Sequence, residues 1–241
     1  VLAAVRLEDG RRASLEIDEF DPTLVTLVLD GHEQSQLDPT DATRLPYEYV
    51  RRIGTVLDLA APAGQPVTAL HLGAGALTLP RYLAATRPGS SQTVVELDGA
   101  LARFVLEELP MVAAPTAVVG DARAALAGLA GPFDVIVVDV FSGGAVPRRL
   151  AEPGFFREVA ALLAPGGLVA VNAPVRAGAA IPELTGLRAA LPHVAAFGAP
   201  SVLEARLAGN AVLVGSGSPF GDDRVAALRA AGPHPASVDL Y

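Results

Sequence analysis

The chain has 241 residues, half of them hydrophobic, and a net charge of −8, which suits one sizeable α/β domain with a well-buried core and argues against disorder. The excess of acids makes nucleic acid and anionic membrane poor partners, because neutralising phosphates needs clustered Lys and Arg, whereas a cationic amine is attracted. Cys and Lys are both absent, which removes disulfides, thiolate metal sites, Cys nucleophiles, Walker-type phosphate loops and pyridoxal Schiff bases.

In chain order, Val5–Glu8 and Ala13–Ile17 read as strands around an Asp9-Gly10 turn. Leu24–Leu29 is a Leu, Val and Thr run ending in Asp30-Gly31, a hairpin signal. The apolar residues Tyr47, Val50, Ile53, Val56, Leu57 and Ala60 recur at helical spacing. The breaker cluster Ala61-Pro62-Ala63-Gly64-Gln65-Pro66 then marks a boundary. Residues 1–60 are thus expected to form a small antiparallel β-hairpin domain with a linking helix, and 61–241 a cofactor-binding domain.

From Val67 strand and helix alternate. Predicted strands are Val67–Leu72, Thr93–Leu97, Ala117–Val119, Asp134–Val138 and Leu168–Asn172, with further ones near Val194–Phe197 and Ala211–Val214. Predicted helices are Leu77–Ala85, Ala100–Leu109, Ala122–Leu129, Phe155–Leu163, Glu183–Ala190 and Asp223–Ala231, with a turn at Pro165-Gly166-Gly167. The alternation predicts a Rossmann-like, doubly wound, mostly parallel seven-stranded sheet. The tail from Gly232 is Pro-rich and predicted irregular. No apolar run reaches the ~18–20 residues of a membrane span, so a cytoplasmic protein is expected. The four His show no metal-ligand spacing, so no metal is expected.

In such a sheet ligands sit beyond the C-terminal ends of the strands. The first strand ends in Gly73-Ala74-Gly75, small enough for a ligand to approach the backbone, though a tight turn is the plainer reading. The second ends in Glu96-Leu97-Asp98, 23 residues after the turn, near the ~20 expected of an acid that accepts from ribose hydroxyls. Asp98 reads as a helix cap and Glu96 as the ribose ligand. The third ends in Gly120-Asp121-Ala122, where the carboxylate can accept from an adenine amino group or cap the next helix. The fourth ends in Asp139, a charge closing an apolar strand and the best candidate to face a reacting group.

These residues resemble a known family. Leu72-Gly73-Ala74-Gly75 with Arg81, Val95-Glu96-Leu97-Asp98, Gly120-Asp121-Ala122-Arg123, Phe133 to Asp139, Phe155-Phe156 and Leu163-Ala164-Pro165-Gly166-Gly167 are similar to motifs of the spermidine synthases, aminopropyltransferases with the class I methyltransferase fold. Leu29-Asp30-Gly31 followed by Gln34 looks like that family's N-terminal hairpin, and Tyr47 like a Tyr of its substrate pocket. The resemblance implies decarboxylated S-adenosylmethionine, or S-adenosylmethionine itself, held by Gly73, Ala74, Gly75, Glu96, Leu97, Asp121 and Ala122. It implies Asp139 as the catalytic acceptor of an amine proton, Gln34, Tyr47 and Ser142 on the acceptor side, and a homodimer.

The departures concern the amine. The family's turn reads Gly-Gly-Gly-Asp-Gly, its Asp gripping the aminopropyl amine; Ala76 and Leu77 stand in the last two places here. A second family acid, three residues after the catalytic Asp, is Ser142, and Glu48 stands where His or Gln is common. Losing a buried partner for an ammonium costs about 3–5 kcal/mol, so the acceptor stays open. Methyl transfer from intact S-adenosylmethionine is an alternative, although His71 stands where methyltransferases usually carry an acid; a non-catalytic nucleoside- or partner-binding relative is another. A nicotinamide dehydrogenase fits less well, with Thr78 in place of the third glycine.

Overall fold

The computed structural model describes residues 1–141 and 146–241. Strands β1 (Ala3–Arg6), β2 (Arg12–Ile17), β3 (Val25–Leu29) and β4 (His32–Leu37) form an antiparallel sheet in that order. Asp30 and Gly31 carry φ of 47° and 81° between β3 and β4, the left-handed pair a two-residue hairpin requires. The first strand stops at Arg6, two residues short of the expected Glu8, because Leu7 to Arg11 form the turn, with Leu7 N–H donating to Arg11 O. Leu15, Leu27 and Leu37 pack this sheet against Leu77, Leu101 and Phe104, placing it over the glycine turn.

The second sheet is built from β5 (Thr68–Leu72), β6 (Ser91–Glu96), β7 (Thr116–Val119), β8 (Phe133–Val138), β9 (Leu163–Val175), β10 (His193–Gly198), β11 (Gly209–Ser216) and β12 (Ser237–Leu240). Their order is β12-β10-β11-β9-β8-β5-β6-β7. Pairs β5–β6, β6–β7, β5–β8 and β8–β9 are parallel, and β11 is antiparallel to both β9 and β10. The order reverses at β5, which opens a crevice at the C-terminal ends of β5, β6 and β8.

Helices α1 (Glu48–Leu59), α2 (Thr78–Thr86), α3 (Gly99–Glu108), α4 (Ala122–Leu126), α5 (Pro153–Ala160), α6 (Pro182–Arg188), α7 (Pro200–Leu203) and α8 (Asp222–Ala230) cover the sheet. The α1 stripe of Val50, Ile53, Val56 and Leu57 buries against Val135, Val137, Ala170 and Val212, the 3.6-residue pattern that made the helix legible. On the other face Phe155, Phe156 and Val159 of α5 pack on Ile136, Val169 and Leu213.

Two expectations are corrected. The sheet has eight strands rather than seven, because the tail is not irregular: Ser237–Leu240 pairs antiparallel with β10, Ala195 opposite Leu240 and Gly198 opposite Ser237. Pairing satisfies the backbone of β10, otherwise an open edge. The Pro165-Gly166-Gly167 turn lies within β9 rather than before it. Leu163 pairs with Phe133 and Leu168 with Val135, so the turn is an excursion of one continuous strand; Gly166, at φ 77°, makes the bend. The 3₁₀ turn Arg148–Leu150 and α7 carried no signal that sequence periodicity could resolve.

Arg87, 2% exposed at the end of α2, ties the 61–66 linker down. Its guanidinium donates to the carbonyls of Asp58, Ala61, Pro62 and Gln65 at 2.6–2.8 Å. Arg87→Met strands four acceptors, and we expect about 2–3 kcal/mol of lost stability, read as a lowered urea midpoint with unchanged m-value.

Candidate active site

The C-terminal ends of β5, β6 and β8 open on a cleft of about 1520 Å³. That exceeds the ~300–1,000 Å³ of one small-ligand pocket and leaves room for two molecules side by side. Gly73, Ala74, Gly75, Glu96, Leu97, Asp121, Ala122, Asp139, Gln34 and Tyr47 all line it. Ser142 lies outside the described residues.

The glycine turn is dictated by packing. Gly73, at φ 95°, has no room for a side chain: a Cβ would stand 2.2 Å from the Asp139 carbonyl oxygen. Asp139 N–H donates to Leu72 O at 2.9 Å, holding the ends of β5 and β8 together. Leu77 follows at φ 58°, a left-handed conformation costing a non-glycine residue roughly 1–2 kcal/mol. Its side chain is buried with the N-terminal sheet, as is the fully buried Ala76, and neither enters the cleft.

Glu96 closes β6. Its Oε2 accepts from Ala74 N–H and its Oε1 from Asp98 N–H, both at 3.1 Å. Burial pushes this carboxyl above the ordinary carboxylate range, and the backbone N–H groups of Asp98 and Ala74 oppose the rise. Asp98 caps α3 through Ala100 and Leu101 N–H. Asp121 likewise caps α4, Oδ1 accepting from Arg123 and Ala124 N–H at 3.1 Å, while Oδ2 accepts from Arg149 at 2.5 Å. The Arg149 hydrogen bond is the largest cause holding Asp121 below the usual range.

Asp139 follows β8, where strand alternation puts it on the same face as Val135 and Val137, the face α1 covers. Asn172 of β9 donates to Asp139 Oδ1 at 2.8 Å, and Asn210 of β11 donates to Asn172 Oδ1 at 2.8 Å. Each amide is thereby fixed in orientation by the next. Burial pushes the Asp139 carboxyl up, and hydrogen bonds from Asn172 and the Tyr49 hydroxyl hold it back. Burial first, then the Asp139 charge, pushes the Tyr49 phenol up. On the cleft's outer side the Tyr47 hydroxyl donates to Glu33 at 3.1 Å, and Gln34 turns its amide onto the carbonyls of His32 and Glu33.

His71 is 1% exposed, with Nε2 3.0 Å from Gln92 Oε1. Gln92 Nε2 donates to Pro80 O, so its Oε1 is the acceptor and His71 carries the proton on Nε2. Burial lowers this His to about 4.

Tyr49, Asn172, Asn210 and Arg149 were not singled out in the sequence. Asn172, the one polar residue in the apolar run Leu168 to Val175, and Asn210, directly before the apolar run Ala211 to Val214, were the available signals for the two amides. Tyr49 and Arg149 offered none, since both reach the site from elements packed across the fold.

No family model matches the chain. A crystal structure described as a probable spermidine synthase from Corynebacterium glutamicum superposes with a TM-score of 0.86 at 30% identity, covering 99% of this chain and 90% of that one. A probable polyamine aminopropyl transferase from Bifidobacterium longum is 31% identical over 62% of this chain and 32% of its own length. An N-terminal histidine N-methyltransferase from Emericella nidulans is 33% identical over 56% of this chain and 25% of its own length. The chain therefore spans a third or less of the curated relatives it matches.

Proposed function

The chain belongs to the spermidine synthase family, and from that premise we propose that it transfers an aminopropyl group from decarboxylated S-adenosylmethionine to a small amine. The observation that carries the reading is Asp139: a carboxylate fixed by Asn172 on the cleft shared by the glycine turn and Glu96. The side-chain-free Gly73 and the part-buried Glu96 suit a nucleoside close to the backbone. Glu96 would hold the ribose hydroxyls. Asp121 would hold the adenine amino group, its oxygen exchanged from Arg149.

When bound, the cosubstrate supplies an electrophilic carbon beside a sulfonium. Asp139 orients the acceptor nitrogen and takes the proton that this nitrogen loses as its lone pair forms the new C–N bond. The C–S bonding pair stays on sulfur, leaving methylthioadenosine. A carboxylate raised by burial is better matched to an amine proton than a free one, and Asn172 fixes its direction. Positioning by these groups supplies much of the rate.

The test is release of 5′-methylthioadenosine from decarboxylated S-adenosylmethionine across a panel of amines. We expect release that depends on the amine, with kcat/KM rising with pH as Asp139 loses its proton; no release with any amine removes the reading. Methyl transfer from intact S-adenosylmethionine is the second reading. It is favoured by Ala76, a neutral residue at the position where the resemblance puts the acid that grips the aminopropyl amine. Tight calorimetric binding of intact S-adenosylmethionine alone would select it. Leu77 leaves the cleft free, so it lends no support to a non-catalytic relative.

A further inference from the structure

The cleft holds a buried cation that the transfer reading does not use. Arg52 of α1 lines the cleft, and its side chain is 2% exposed. Nη2 lies 2.5 Å from Glu48 Oε1, close enough for an ion pair but without hydrogen-bond alignment, and neither Nε nor Nη2 has a hydrogen-bond partner among the described residues. A Cβ at Gly232 would stand 3.3 Å from Nε, so one side of the guanidinium is walled by backbone. Burying a guanidinium so poorly satisfied is costly. Its charged neighbour among the described residues, Glu48, is nearly half-exposed and can turn to water.

Arg52 stands three residues after Tyr49, on the same face of α1, and Tyr49 is the phenol beside Asp139. The guanidinium thus belongs to the residue one helical turn on from the phenol whose titration is coupled to the proton acceptor. The two positions where the resemblance places amine-binding acids are neutral here, Ala76 and Ser142.

We propose that the acceptor is an amine bearing a carboxylate, its nitrogen directed to Asp139 and its carboxylate taken by Arg52. Arg suits that partner because its planar fork offers paired N–H donors to two oxygens. The proposal rests on the transfer reading above and names the chemical class of its acceptor.

The test uses the full chain saturated with 5′-methylthioadenosine, titrated calorimetrically with 4-aminobutanoate, 2,5-diaminopentanoate and 1,4-diaminobutane. The first and last differ only in a carboxylate exchanged for an aminomethyl group. Release of 5′-methylthioadenosine from decarboxylated S-adenosylmethionine is followed with the same three amines. The carboxylated amines are expected to bind about ten- to hundred-fold more tightly than the diamine. Arg52→Met should remove that preference and leave the affinity for 5′-methylthioadenosine unchanged. Equal or tighter binding of the diamine by the unaltered chain overturns the proposal without needing a variant. Turnover of the diamine alone overturns it while the transfer reading stands. Turnover of none of the three, with no other amine active, removes both.

Discussion

Replacing Asp139 with Asn lowers kcat/KM for aminopropyl transfer about 10²–10⁴-fold while the folded chain keeps or gains thermal stability. The two effects part because they depend on opposite properties of one carboxyl group. Accepting a proton requires the charged form, whereas burial disfavours that form and raises the pKa. The folded chain therefore holds this proton more tightly than the unfolded chain. The resulting cost to stability is absent below the unfolded value, near 3.8, develops as pH rises, and is complete above the folded value. An amide cannot ionise, so Asp139→Asn avoids that cost, and its oxygen still accepts from Asn172. Thermal unfolding at pH 4 and pH 8 checks this. The variant should exceed the parent at pH 8 by more than at pH 4. A variant that unfolds readily at both would show that the carboxylate holds the site together; full activity in the variant would end its assignment as proton acceptor.

Gly73→Ala is expected to be among the most damaging single methyl additions at the described residues, costing about 3–5 kcal/mol and taking the activity with it. Its Cβ would meet the Asp139 carbonyl oxygen at 2.2 Å and the carbonyl carbon at 3.0 Å, and φ is 95°. The obstacle is backbone on both sides, so no rotamer change relieves it, and strands β5 and β8 must separate where Asp139 N–H bonds Leu72 O. Gly75→Ala is the matched control. There φ is 50° and the nearest neighbour is the small Ser35 side chain at 3.3 Å, so about 1 kcal/mol of left-handed strain is expected. Chemical denaturation of both variants, with activity measured on whatever remains folded, separates the effects. Equal losses would mean that the end of β8 yields easily to the new methyl.

Local signals carried much of this protein. The period-two and period-3.6 patterns, the Asp30-Gly31 hairpin and the Gly73 turn are properties of neighbouring residues, and they sufficed for a Rossmann-like sheet with a β unit before it. The acids at the ends of β6, β7 and β8 were legible for the same reason: each interrupts or follows an apolar run, and parallel strands deliver their C-terminal ends to one edge. What lies across the fold was not legible. The pairing of Ser237–Leu240 with β10 depends on an edge that exists only once the sheet is assembled. The Asn210–Asn172–Asp139 chain joins three strands whose adjacency is set by sheet order rather than by sequence spacing. The coupling of Tyr49 to Asp139, and the burial of Arg52, follow from the packing of α1 on that same face. Sequence fixes which side chains each strand end presents, because alternation is local; only tertiary packing decides which become desolvated and which gain partners, because burial belongs to the assembled surface.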